Sequence, residues 1–127
     1  MIIFDHIKIH VSNSLKYSNF LNKLFKIGRF KKISENNTYM FLTSDNLRFE
    51  IKESKIYTDI YNNNNGKGFC LPCLRMKNAL THLKTLENIT ITKIIKNPDG
   101  DCIFFKDLEG IDWHIKDYET LDIFTNI

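Results

Sequence analysis

Ile111-Asp112-Trp113-His114-Ile115-Lys116 decides how this chain folds. Apolar Ile111, Trp113 and Ile115 alternate with polar Asp112, His114 and Lys116. A period of two marks a strand with one buried face. One face is therefore core, and the other carries a histidine between an acid and a base. A turn, Asp107-Leu108-Glu109-Gly110, leads into the strand, and the apolar run Ile103-Phe104-Phe105 stands before the turn. The same arrangement occurs earlier. Leu47-Arg48-Phe49-Glu50-Ile51-Lys52 points Leu47, Phe49 and Ile51 to the core and Arg48, Glu50 and Lys52 away from it, with Ser44-Asp45-Asn46 as its turn. Leu47 aligns with Ile111, an offset of 64 (111 − 47).

Outward from this pair, the chain reads as one unit repeated. Phe4 to Val11 alternates, with Ile7, Ile9 and Val11 on one face and Phe4, His6, Lys8 and His10 on the other. Ser12-Asn13-Ser14 offers N-cap residues. Leu15, Phe20, Leu21, Leu24 and Phe25 then have helical spacing, and Gly28 is expected as the glycine that closes the helix. Strands follow at Arg29 to Ile33, Thr38 to Leu42 and Leu47 to Glu53. The order is βαβββ.

Residues 62–68, Asn-rich and ending in Gly66-Lys67-Gly68, form a linker. The order then recurs. Phe69 to Leu74 is strand-like, and Met76, Ala79, Leu80, Leu83 and Leu86 are helical in spacing. Ile89 to Lys96, Cys102 to Lys106 and Ile111 to Lys116 are the last strands, with a turn at Asn97-Pro98-Asp99-Gly100. The expected fold class is α+β. A single domain over residues 1–127 contains a first βαβββ module at 1–61, the linker at 62–68, a second module at 69–118 and a tail at 119–127. Offsets of 62 to 64 set His6 against Phe69, Phe20-Leu21 against His82-Leu83, Phe41 against Phe105 and Glu50 against His114.

Composition excludes several classes. With 43% hydrophobic residues and ten Phe, the chain can bury a real core. Its apolar runs are too short to span a membrane. Its first residues lack the pattern of a secretory signal. Three cysteines without such a signal point to reduced thiols in a cytoplasm. A net charge of +3, scattered along the chain, does not argue for nucleic acid. Cys70-Leu71-Pro72-Cys73 is a CxxC that falls mainly within a strand, so it reads as packing rather than a redox pair.

Two βαβββ modules in this length resemble the vicinal oxygen chelate superfamily of glyoxalase I, extradiol dioxygenases, and the fosfomycin- and bleomycin-resistance proteins. The resemblance rests on Asp5-His6-Ile7-Lys8-Ile9-His10-Val11 with the helix after it. It rests also on Ile103-Phe104-Phe105-Lys106-Asp107-Leu108-Glu109-Gly110-Ile111-Asp112-Trp113-His114, whose turn keeps the family's acid and glycine but lacks its proline. It implies a glyoxalase/bleomycin-resistance/dioxygenase fold, in which each module curls its mixed sheet around a ligand cup.

The same resemblance places the metal-ligand positions at His6, Glu50, Phe69 and His114. Phe69 cannot bind a metal, and His114 stands where a glutamate is usual. The remaining His6, Glu50 and His114 form a two-histidine, one-carboxylate set suited to a divalent Ni, Zn, Mn or Fe ion. Such an ion polarises paired substrate oxygens. Glu50 is the expected catalytic residue. Lys8, Arg48 and Lys116, with Phe69 and Phe104 as an apolar wall, are the expected substrate contacts. Lys8, Arg48, Lys52 and Lys116 face Glu50 and Asp112, four bases against two acids. A positive cup prefers a small anionic molecule and disfavours cationic bleomycin. The expected function is a glyoxalase- or dioxygenase-like enzyme acting on an anion, a lyase or dioxygenase with or without a metal. The rival expectation is a metal-free ligand-sequestering protein. A homodimer is implied by the resemblance alone.

Overall fold

The structure is a computed structural model that describes residues 1–54, 73–98 and 100–117. The chain divides into two compact units, Met1–Asn63 and Asn64–Ile127. The linker at 62–68, Phe69, Cys70 and the tail at 119–127 lie outside the described residues. Among the described residues, no helix is long and apolar enough to cross a membrane.

In the first unit, β1 (Ile7–Val11), α1 (Ser14–Phe25), β2 (Gly28–Ser34), β3 (Thr38–Thr43) and β4 (Arg48–Glu53) follow in order. The sheet runs β1-β4-β3-β2. β1 pairs parallel to β4, with Ile9 opposite Ile51, and the other neighbours are antiparallel. In the second unit, β5 (Leu74–Met76), α2 (Ala79–Leu83), β6 (Thr90–Ile95), β7 (Cys102–Lys106) and β8 (Asp112–Asp117) make a sheet ordered β5-β8-β7-β6. β5 is parallel to β8, with Leu74 opposite Ile115. Both sheets are mixed, and their order is the same. This is the glyoxalase/bleomycin-resistance/dioxygenase architecture.

Alternation sorts each strand as the sequence demands. Ile9, Val11, Phe41, Phe49 and Ile51 are fully buried in the first unit, as are Phe105 and Ile115 in the second, and Trp113 is 1% exposed. Fully burying a large apolar side chain contributes roughly 1.5–3 kcal/mol. α1 closes over the first sheet's core face, where the Phe25 ring lies 5.6 Å from Phe41 and 5.8 Å from Phe49.

The repeat extends to hydrogen bonds. In each unit, the final strand ends in a carboxylate that accepts a backbone N–H 39 residues earlier, Glu53 from Ser14 and Asp117 from Asn78. The two turns also match. Thr43 N donates to Leu47 O and Asp107 N to Ile111 O, both at 3.0 Å. Asn46 and Gly110 take the left-handed positions, at φ 67° and 80°.

Several details differ from expectation. α1 begins at Ser14, with Asn13 Oδ1 accepting from Lys16 N at 3.0 Å. Its buried stripe includes Tyr17 and Ser18, whereas Leu15 is exposed. Ser18 is tolerated inside because its hydroxyl donates to Ser14 O at 2.8 Å. Met76 belongs to β5 rather than to the second helix, which spans only Ala79–Leu83. The first strands align at an offset of 65 (74 − 9) through the shared Ile51 and Ile115 partners, not the 63 that sets His6 against Phe69. Cys73 is exposed, so it does not pack as expected.

Gly28 does not end α1. The left-handed position there is Lys26, at φ 63°, and Gly28 opens β2. Its role is close approach, because a Cβ would overlap the tip of the Phe41 ring. That ring is fully buried and cannot swing aside. Gly28→Ala is expected to lower stability by about 1–3 kcal/mol, the cost of overpacking. Urea unfolding measures it, and a change below about 0.5 kcal/mol would contradict the contact.

Candidate functional site

The face of the first sheet opposite α1 carries most of the expected residues. Directly paired residues share a face. Lys8 pairs with Glu50 and His10 with Lys52. Glu50 pairs with Met40 and Arg48 with Leu42. On β2, Lys31 pairs with Met40 and Arg29 with Leu42. Five bases, Lys8, Arg29, Lys31, Arg48 and Lys52, thus share this face with one acid, Glu50. Arg29 and Lys31 were not in the expected set. Their alternation about Phe30 was the signal that could have found them.

At the start of β1, side chains form a line. Arg48 Nη1 lies 3.6 Å from Asp5 Oδ1, Asp5 Oδ2 lies 2.6 Å from His6 Nδ1, and His6 Nε2 lies 2.9 Å from Glu50 Oε2. His6 and Glu50 are partly shielded, at 32% and 21% side-chain exposure. Asp5 escaped the sequence reading because strict alternation would point it away from His6. β1 starts only at Ile7, so Asp5 is free of the pleat and its carboxylate reaches the ring. The His6 hydrogen bond holds the Asp5 carboxyl below its ordinary value; desolvation opposes this, and the charges of His6 and Arg48 reinforce it. Burial pushes the nearby His10 imidazole down, as do Lys8 and Lys52, with Glu50 opposing.

In the second unit, Phe104 pairs with His114 and Cys102 with Lys116. Arg75 pairs with Lys116 on the other side. The Phe104 and His114 rings stack at 5.2 Å and 15°. Burial pushes the His114 imidazole down, and Lys116 pushes the same way. Lys106 Nζ is 2.9 Å from Asp112 Oδ1, so that acid already has a partner. His114, Phe104 and Lys116 therefore share one face of their sheet. Phe69 lies outside the described residues.

The donors at His6 suit a metal in a specific way. A neutral imidazole has one N–H, yet both ring nitrogens face carboxylates. A ring that gives Nδ1–H to Asp5 leaves its Nε2 lone pair toward Glu50, where a metal cation would be shared by the two; a doubly protonated ring donating to both carboxylates is the metal-free alternative. A carboxylate on the far nitrogen is how metal-binding histidines are commonly oriented. Nε2 and Oε2 lie 2.9 Å apart, the length of an ordinary N–H···O hydrogen bond, and would part slightly or turn to share an ion. Asp5 sits on the other side of the ring and is not a third donor. Neither unit alone, among the described residues, gathers three His, Cys, Asp or Glu side chains as a metal-holding group.

Two sheets of this order define the fold class. Neither a family profile nor a curated protein sequence matches the chain. Solved structures do match. A fosfomycin resistance protein, FosX, from Listeria monocytogenes, complexed with Mn(II) and 1S,2S-dihydroxypropylphosphonic acid, superposes with a TM-score of 0.68 at 17% identity, covering 95% of this chain and 94% of that one. FosX from Mesorhizobium loti gives 0.65 at 12% identity, covering 99% and 98%. The chain has the fold of the vicinal oxygen chelate superfamily.

Proposed function

We propose that this protein is a glyoxalase- or dioxygenase-like enzyme acting on a small anionic molecule over the basic face of the first unit, with a divalent metal held by His6 and Glu50. The Asp5–His6–Glu50 line carries this reading, since it presents an oriented imidazole nitrogen and a carboxylate oxygen 2.9 Å apart. When bound, the ion would polarise paired oxygens of the substrate. Asp5 fixes the ring and its tautomer. Lys8 and Arg48, exposed on the same face, would neutralise the anion, and half-buried Met40, which pairs with Glu50, would contact its carbon skeleton. His114 is the remaining donor of the set expected from the sequence. The Mn(II) and phosphonate of the FosX complex support the choice of ion and of substrate class.

Calorimetric titration with methylphosphonate tests the anion part. Binding is expected to need Mn(II), to weaken about tenfold in Lys8→Gln, and to disappear in His6→Ala. Equal binding without Mn(II), unchanged in His6→Ala, would favour a metal-free sequestering protein instead.

A further inference from the structure

We infer that the first unit carries a second ligand site, a cavity that takes a small carboxylate with a short apolar body. The cavity, about 240 Å³, lies between the start of β2 and the turn after β3. It is smaller than the roughly 300–1,000 Å³ of drug-sized sites, so its ligand has only a handful of heavy atoms. β3 stands between β2 and β4, which puts Arg29 two strand spacings, about 10 Å, from the strand of Arg48 and Glu50. None of the cavity's residues belongs to the Asp5–His6–Glu50 line, so the inference does not rest on the proposed metal.

Three kinds of group converge there. Arg29, Ser44 and Asn46 line the cavity, and none of their side chains makes a hydrogen bond or ion pair with a described residue. A guanidinium fork with a hydroxyl and a carboxamide nearby is a carboxylate receptor. Ile27, 72% exposed, and half-buried Leu42 supply apolar wall beside those donors. Gly28 also lines the cavity.

The surroundings select the sign of the ligand. Lys23, Lys26, Arg29, Lys31 and Lys32 are all exposed, and the chain has no acid from Lys23 to Ser34. None of the five forms an ion pair with a described residue. Asp45, between Ser44 and Asn46 in the turn, is the acid beside them, and its carboxylate accepts from the Thr43 hydroxyl. Five bases against that one acid still favour anions near the cavity. The apolar wall then distinguishes an aliphatic carboxylate from a bare anion.

Titration of ¹⁵N-labelled full chain with hexanoate tests the site. Saturable shifts are expected at the amides of Ile27, Gly28, Ser44 and Asn46. Acetate should bind at least about tenfold more weakly, for want of apolar contact, and hexylamine should not bind. Arg29→Gln, a change at an exposed position, should weaken hexanoate about tenfold with the rest of the spectrum unchanged. Absent or non-saturable shifts at these amides, equal binding of hexylamine, or hexanoate binding unaffected by Arg29→Gln would overturn the inference.

Discussion

Asp107→Ala is expected to lower the stability of this protein by about 3–5 kcal/mol, a large share of the 5–15 kcal/mol that holds a typical domain folded. Asp107 is 5% exposed. Its Oδ1 accepts from Glu109 N at 2.8 Å and Ile111 N at 3.1 Å, and its Oδ2 accepts from Trp113 Nε1 at 2.8 Å. Removing the carboxylate strands two buried backbone donors and an indole N–H. Each unsatisfied buried donor costs about 1–3 kcal/mol. Asp107→Asn should fall between, because its oxygen can serve the two backbone groups while its NH₂ opposes the indole N–H. Trp113 is the single tryptophan, so its emission reports this corner directly during urea unfolding. Thr43 holds the equivalent turn, where its hydroxyl accepts from Leu47 N at 3.0 Å. One such bond contributes about 1 kcal/mol. A loss in Asp107→Ala no larger than that of Thr43→Ala would contradict the role assigned to Asp107.

The second large effect concerns the ring of His6. His6→Ala should abolish Mn(II) binding at the first unit, since it removes one of the two donors that stand together there among the described residues. Asp5→Ala should keep the site but loosen it, weakening Mn(II) about 10–100-fold, the usual effect of removing an orienting partner. Asp5 is exposed, so the same variant should unfold at the wild-type urea concentration. That separation matters. A structural role for Asp5 would shift stability, whereas a positioning role shifts affinity alone. Equal Mn(II) affinity in Asp5→Ala and wild type would show that the contact orients nothing.

Much of the fold could be read from residue pattern because its rules are local. Alternation at Ile111 to Lys116 and at Leu47 to Lys52 places each side chain by its neighbour two residues away, and the structure keeps those faces. The offset of 64 between the last strands survives down to matching turn bonds at Thr43 and Asp107. What escaped was set by contacts distant in sequence. Gly28 looked like a helix end, but its constraint comes from Phe41 across the sheet. Asp107 looked like a turn former, and nothing local indicates that its second oxygen holds Trp113. Helical spacing counted from Leu15 missed the true stripe because Tyr17, Ser14 and Ser18 carry polar atoms yet lie inside.

The candidate site divides in the same way. His6 and Glu50 were legible from the alternation of their segments, although His6 stands one residue before β1, and they meet at 2.9 Å. Lys8 and Arg48 lie on the expected face. Phe104, His114 and Lys116 share a face of the second sheet. Asp5 was invisible to alternation because it precedes the strand. Arg29 and Lys31 were passed over because the resemblance draws attention to first and last strands, while β2 contributes charge from the sheet edge.

Electron paramagnetic resonance of Mn(II) titrated into the purified full chain measures the central claim most directly. A site at His6 and Glu50 predicts about one bound Mn(II) per chain in the wild type, and none in His6→Ala or Glu50→Gln. Less than about 0.1 equivalent in the wild type, or unchanged binding in His6→Ala, would contradict it.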